Sequence, residues 1–139
     1  MKKILIDTDV LLDFFFDRKP FSKDSAIILS FCERNILEGY ITPVIISNIY
    51  YLLRRTAKHE KVIDTLKQLL TITHVLHMDK LVIIKALNSE FKDFEDALQN
   101  FAAINNGAIE AIITRNVKDY AKSTIGVLTP ESFVKLLNT

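Results

Sequence analysis

The stretch Lys3-Ile4-Leu5-Ile6-Asp7-Thr8-Asp9-Val10-Leu11-Leu12 decides how the rest of the chain is read. From Lys3 to Ile6 it is β-branched and aliphatic without a break, the pattern of a strand buried on both faces. It stops at Asp7-Thr8-Asp9, polar residues that no core needs. Val10, Leu11, Leu12, Phe14, Phe15 and Phe16 then predict a short helix leaving the strand, ended by Pro20. A buried strand running straight into a helix is the opening of a parallel α/β unit.

Downstream the same alternation recurs. Ser22 is expected to cap a helix to about Leu37 carrying Ile27, Ile28, Phe31 and Cys32, with Gly39 just past its end. Tyr40 to Thr42 reads as a strand, and Pro43 as the first turn of a helix bearing Ile45, Ile46, Ile49, Tyr50, Leu52 and Leu53. Another helix spans about Glu60 to Leu70, and Thr73 to Met78 reads as a strand. Asp79 caps a helix with Leu81, Ile84 and Leu87, and Asp93 opens one that closes at Gly107. Ile109 to Thr114 and Gly126 to Leu128 are strands, and Thr129-Pro130-Glu131 starts a last helix. Strands alternating with helices imply a three-layer α/β/α fold around a central, mainly parallel sheet.

With 139 residues the chain is expected to form one domain, residues 1–139. Hydrophobic residues make up 49% and charged residues 25%, which excludes a disordered chain. Only three glycines and three prolines are present, too few for a sandwich of many tight turns. A net charge of +1 supplies no global field for nucleic acid, so a polyanionic substrate must be met by a local basic patch or a bound cation. The single Cys32 excludes an internal disulfide. The N-terminus superficially resembles an export signal, but Asp7 and Asp9 interrupt its apolar run. No stretch has the ~20 apolar residues of a membrane span. A cytoplasmic protein without membrane contact is expected.

In open parallel sheets, sites form beyond the carboxyl ends of the strands. Two strand ends here are polar: Asp7-Thr8-Asp9, and Thr114-Arg115-Asn116 with Asp119 one helical turn further. A third group, Asp93-Phe94-Glu95-Asp96, lies at a helix start. Carboxylates converging from these segments could not all stay ionised without a cation between them. An all-oxygen set suits Mg²⁺ or Mn²⁺ rather than zinc. Such a cation can acidify a bound water and neutralise a phosphodiester in reaction. Plainer readings stand beside this one: Asp93, Asp96 and Asp9 as helix caps, Asp119 as a solvated loop residue. Asp7 resists that treatment, because a carboxylate ending a buried strand needs partners.

Three blocks carry a family resemblance: Ile4 to Leu12, Asp93-Phe94-Glu95-Asp96-Ala97-Leu98-Gln99, and Ile113-Thr114-Arg115-Asn116-Val117-Lys118-Asp119-Tyr120. In this order they resemble the signature blocks of PIN-domain proteins, and the resemblance spans essentially the whole chain. It implies a metal-dependent ribonuclease, VapC-like, of the kind that serves as the toxin of a toxin–antitoxin pair. RNA would be the substrate and an antitoxin protein the partner. By position, Asp7 resembles the family's first acid and Asp96 its third. The second position falls on Asn48 and the fourth on Asn116, with Asp119 nearby. The expected Mg²⁺ or Mn²⁺ ligands are thus Asp7, Asp96, Asn48, Asn116 and Asp119, with Asp7, Asp96, Asn116 and Asp119 catalytic. An amide oxygen can ligate a hard cation but cannot act as a base. Asp9, Glu95 or Asp119 could restore the missing charge.

Arg115 and Lys118, flanking the expected pocket, are the phosphate-binding candidates. Thr114 either orients water or phosphate or is a satisfied strand-end hydroxyl. The basic run Arg54, Arg55, Lys58, His59, Lys61 is either a solvated helix end or a grip on an RNA backbone. Two rival functions follow from other observations. The two amides fit a PIN domain that binds RNA or a protein without cutting. Asp7-Thr8-Asp9 resembles the opening motif of haloacid-dehalogenase-like phosphatases, whose downstream Lys and Gly-Asp-rich loop have no match here. Finally, the apolar helix after Pro43, with Tyr51 and the Phe14–Phe16 segment, predicts a homodimer.

Overall fold

The computed structural model describes residues 1–138. Five strands are formed: β1 (Lys2–Ile6), β2 (Leu37–Ile41), β3 (Thr73–Val75), β4 (Ala111–Ile113) and β5 (Gly126–Leu128). They make one sheet in the order β3-β2-β1-β4-β5, every neighbouring pair parallel. Among the described residues, seven α-helices flank it. They are α1 (Thr8–Phe15), α2 (Ser22–Glu33), α3 (Pro43–Leu53), α4 (His59–Ile72), α5 (Lys80–Leu87), α6 (Phe94–Asn106) and α7 (Pro130–Leu137). The α/β/α layering and the parallel sheet are as expected.

The centre of the sheet explains the opening run. Ile4, Leu5 and Ile6 have no accessible surface, because β1 is paired on both edges and covered on both faces. From β1 the chain builds outward through β2 to β3. It then returns to the other edge of β1 with β4 and β5. The direction of growth therefore reverses between β1 and β4. A crevice opens at such a switch point, beyond the carboxyl ends of the two strands. Asp7 follows β1 and Thr114 follows β4, and both lie at that crevice.

Helix starts follow the sequence closely. Thr42 caps α3 with its hydroxyl 3.1 Å from the Ile45 amide, Asp79 caps α5 at Val82, and Thr129 caps α7 at Ser132. Gly107 closes α6 at φ +80°. Several boundaries differ from expectation: β2 runs Leu37–Ile41 rather than Tyr40 to Thr42, β3 ends at Val75 rather than Met78, and β4 spans only Ala111–Ile113. Phe21, not Ser22, stands at the α2 cap, and the Ser22 hydroxyl instead donates to Asp17 at 2.8 Å. Helix α2 ends at Glu33 rather than about Leu37, with Asn35 at φ +58° in the turn that follows. Gly39 lies inside β2, because a Cβ there would sit 2.7 Å from Cys32 Sγ and 3.0 Å from Ile6 Cδ1. It is a glycine required by close packing, not by a turn.

The α3 surface expected to pair with a second copy is largely used internally: Ile45, Ile49 and Leu53 are buried, and Tyr51 is exposed. Among the described residues no helix is long and apolar enough to cross a membrane.

Candidate active site

Three segments meet at the crevice. The β1–α1 junction delivers Asp7 and Asp9, the N-terminus of α6 delivers Glu95 and Asp96, and the loop after β4 delivers Asn116 and Asp119. Together with Asn48 of α3 they line a cleft of about 520 Å³. The structure therefore gathers Asp7, Asn48, Asp96, Asn116 and Asp119 as the sequence reading expected. Asp9 and Glu95 join them.

Asp7 is nearly buried, and its two oxygens are distinguished by their partners. Oδ1 accepts the Thr8 amide at 2.8 Å, capping α1. Oδ2 accepts the Thr114 hydroxyl at 2.9 Å and the Tyr120 hydroxyl at 3.3 Å. Burial nonetheless raises its pKa above the usual carboxylate value, and Asp119 adds to that effect.

Asp9 Oδ2 accepts the Arg115 amide at 3.1 Å and the Asn116 side-chain amide at 3.2 Å. Its Oδ1 is buried with no hydrogen-bond partner. Burial, then the charge of Asp7, pushes its pKa up to about 6. Asp96 goes to about 7, through burial first and then the charges of Asp7, Asp93 and Asp119. Its own amide is capped by Asp93 Oδ1 at 3.0 Å, so Asp93 is a structural cap. Tyr120, fully buried, turns its hydroxyl toward Asp7 and Asp96, and its pKa rises well beyond the phenol range.

The three phosphate-binding candidates lie in different surroundings. Thr114 has no accessible surface, and its single hydroxyl proton goes to Asp7, so it orients a carboxylate rather than a ligand. The Arg115 guanidinium is held away from the cleft by Asp13, with bonds of 2.6 and 3.0 Å, and stacks 4.1 Å over Phe21. Lys118 lines an adjacent hollow with Glu90 and Asp93 rather than this cleft. Sequence reasoning missed the supporting set of Asp13, Tyr120, Thr42 and Gln99. Thr42 donates to Gln99 at 2.6 Å and ties the start of α3 to α6 beneath the cleft. Tyr120, next to Asp119 in the third block, and Gln99, at the end of the second, stood inside the quoted blocks without being read as site residues.

Fold and site together define an α/β/α protein whose acidic cleft opens at the switch point of a parallel sheet. The profile of the PIN domain matches residues 3–118, and the chain belongs to the PIN-domain family. It is 28% identical over 143 residues to Ribonuclease VapC1 of Aquifex aeolicus (strain VF5), covering 99% of this chain and 97% of that protein. Among solved structures, a toxin–antitoxin complex from Klebsiella pneumoniae superposes with a TM-score of 0.67 at 22% identity, over 91% of this chain and 97% of that one. VapC20 of Mycobacterium tuberculosis, described as a Sarcin-Ricin loop cleaving toxin, gives 0.63 at 14% identity, over 85% of this chain and 95% of that one.

Proposed function

We propose that the cleft hydrolyses RNA phosphodiesters with the help of Mg²⁺ or Mn²⁺, and that the chain is the toxin of a toxin–antitoxin pair. The observation that carries this reading is the pair Asp7 and Asp96, two carboxylates from separate segments that line one cleft, both disfavoured as anions by burial and Asp96 further by the charge of Asp7. That is the signature of an acid cluster built around a missing positive charge. The similarity to Ribonuclease VapC1 supports the nuclease reading, and the toxin–antitoxin neighbours support the partner.

The residues present fit a hard divalent ion. Every donor is an oxygen, and Asp9 Oδ1 is a buried acceptor still lacking a partner. Among the described residues no three His, Cys, Asp or Glu side chains form a ready-made cage. Mg²⁺ does not need one, since it is held by one or two carboxylates and keeps several waters. Asp7 and Asp96 would hold the ion, with Asn48, Asn116 and Asp119 beside them. Bound there, the ion supplies an acidified water and neutralises charge on the phosphodiester.

The chain's own residues do the rest. Thr114 and Tyr120 donate to Oδ2 and the Thr8 amide to Oδ1, which fixes the Asp7 carboxylate at the cleft. Asn116 and the Arg115 amide fix Asp9 through its Oδ2, and burial together with the charge of Asp7 pushes its pKa up to about 6. Purified protein should cut single-stranded RNA with Mn²⁺, stop with a chelator, and stop in Asp7→Asn. Cutting that survives both treatments overturns the reading.

A second reading has its own observation. Asn48 and Asn116 stand where the family pattern has acids, so the fold could serve binding without cleavage. Calorimetric titration separates the two: no heat with millimolar Mn²⁺ favours the binding-only reading.

A further inference from the structure

The cleft has a charge problem that its own lining reveals. Asp7, Asp9, Asp93, Glu95, Asp96 and Asp119 line it, and the only cationic side chain among its lining residues is Arg18. One or two divalent ions cannot neutralise six carboxylates and an incoming phosphate strand together.

Arg18 is placed with unusual definition for an exposed arginine. Its amide donates to the Asp13 carbonyl at 2.9 Å, and its carbonyl accepts the Ser22 amide at 2.8 Å. The preceding Asp17 sits at φ +48° and accepts the Ser22 hydroxyl, which closes the turn between α1 and α2. The guanidinium lies 5.2 Å from the Phe16 ring centroid. Its contact with Asp13 is long, 3.7 Å, because Arg115 already takes both oxygens of that buried carboxylate at 2.6 and 3.0 Å. The two arginines sharing Asp13 thus divide the work. Arg115 satisfies the carboxylate and is committed. Arg18 keeps most of its five donors free, is 44% exposed at the side chain, and faces the cleft.

We propose that Arg18 is the substrate-binding residue that grips a backbone phosphate of the RNA at the edge of the acidic cleft. This rests on the ribonuclease reading above. A planar fork with free donors, oriented over an aromatic ring, matches the geometry of two non-bridging phosphate oxygens. A phosphate held there lies at the edge of the cleft next to the turn between α1 and α2.

The test is steady-state cleavage of a short single-stranded RNA with Mn²⁺ at several salt concentrations. In Arg18→Ala, KM should rise roughly ten-fold with kcat changed by less than about three-fold. The slope of log(kcat/KM) against log[salt] should flatten by about 0.7, one single-strand phosphate contact. Arg18→Lys should restore the slope. Arg34→Ala, the same charge change at the α2 end that precedes β2, should leave both values alone. A second readout needs no turnover: the Arg18 Nε–H resonance should shift on titration with the RNA while that of Arg115 stays. If the wild type does not cut RNA, the ribonuclease reading fails and this proposal with it. If the wild type cuts and Arg18→Ala keeps its KM and slope, or loses kcat alone, only the Arg18 proposal is overturned.

Discussion

Replacing Asp96 by Asn should make the protein without divalent ions more stable while removing its activity. Asp96 titrates at about 7 instead of 3.8, with burial the largest cause. The sign follows from linkage. Stability held by the protonated carboxyl is complete below about pH 4 and is lost as the pH rises through about 7. At 1.36 kcal/mol per pKa unit the full shift corresponds to about 4 kcal/mol. Asp96 is half-buried, so solvent screening cuts this to about 2 kcal/mol. One effect opposes it: Asp96 sits in the first turn of α6, where a carboxylate gains about 0.5–1 kcal/mol from the helix dipole. The net gain for Asp96→Asn at pH 8 is therefore about 1 kcal/mol. At ~2.1 cal/mol/K per residue over 139 residues, that is a Tm increase of about 3–4 °C. Differential scanning calorimetry in a chelator, from pH 4 to pH 8, reads it directly. The wild type should lose stability across that range, and the variant should lose less. Millimolar Mg²⁺ should close the gap by stabilising the wild type more. A variant less stable than wild type at pH 8 in chelator would show that the acids are not mutually strained.

Other consequences are as direct. Arg115→Ala leaves Asp13 fully buried with only the long Arg18 contact and should cost about 3 kcal/mol, measured by urea unfolding; under 1 kcal/mol would mean the pair is dispensable. Gly39→Ala should destabilise by about 1–3 kcal/mol, and Cys32→Ala in the same chain should recover part of it, since Cys32 Sγ is the atom in the way. Thr114→Val removes a hydroxyl from Asp7 and should cost about 1–3 kcal/mol while lowering cleavage, checked by melting and RNase assay together. The expected homodimer would use the exposed Tyr51 of α3 and Phe14 of the Phe14–Phe16 segment; sedimentation at a steady 15.9 kDa would rule it out.

The fold and half of the site could be read from local pattern because their causes are local. Ile4 to Ile6 announce a doubly covered strand by themselves, and Asp7 announces a site because nothing in a core wants it. Asp93 and Gly107 mark the ends of α6 by chemistry that acts within four residues. The rest depends on contacts between distant positions. Gly39 resembles a helix stop in sequence, yet its reason is Cys32 Sγ and Ile6 Cδ1 pressing from a neighbouring helix and strand. Arg115 resembles a phosphate ligand beside a pocket, yet its partner Asp13 lies 102 positions earlier. Thr114 shows the same limit, since its exposure could not be known before β5 covered it with the Leu128 pairing.

The two amides at the matched acid positions have a physical sense in the folded chain. Asn48 donates to Glu95 at 3.0 Å, and Asn116 donates to Asp9 at 3.2 Å. A carboxylate at either place would set like charges at about that separation, in a cleft where Asp7, Asp9 and Asp96 already titrate high. The amide turns each of those contacts from repulsion into a hydrogen bond. Each amide thus has a carboxylate as its immediate partner, Glu95 for Asn48 and Asp9 for Asn116. Six carboxylates still line the cleft, and one oxygen of Asp9 is buried without a hydrogen-bond partner. A divalent cation is the partner that such an arrangement most lacks, and the amides do not change that.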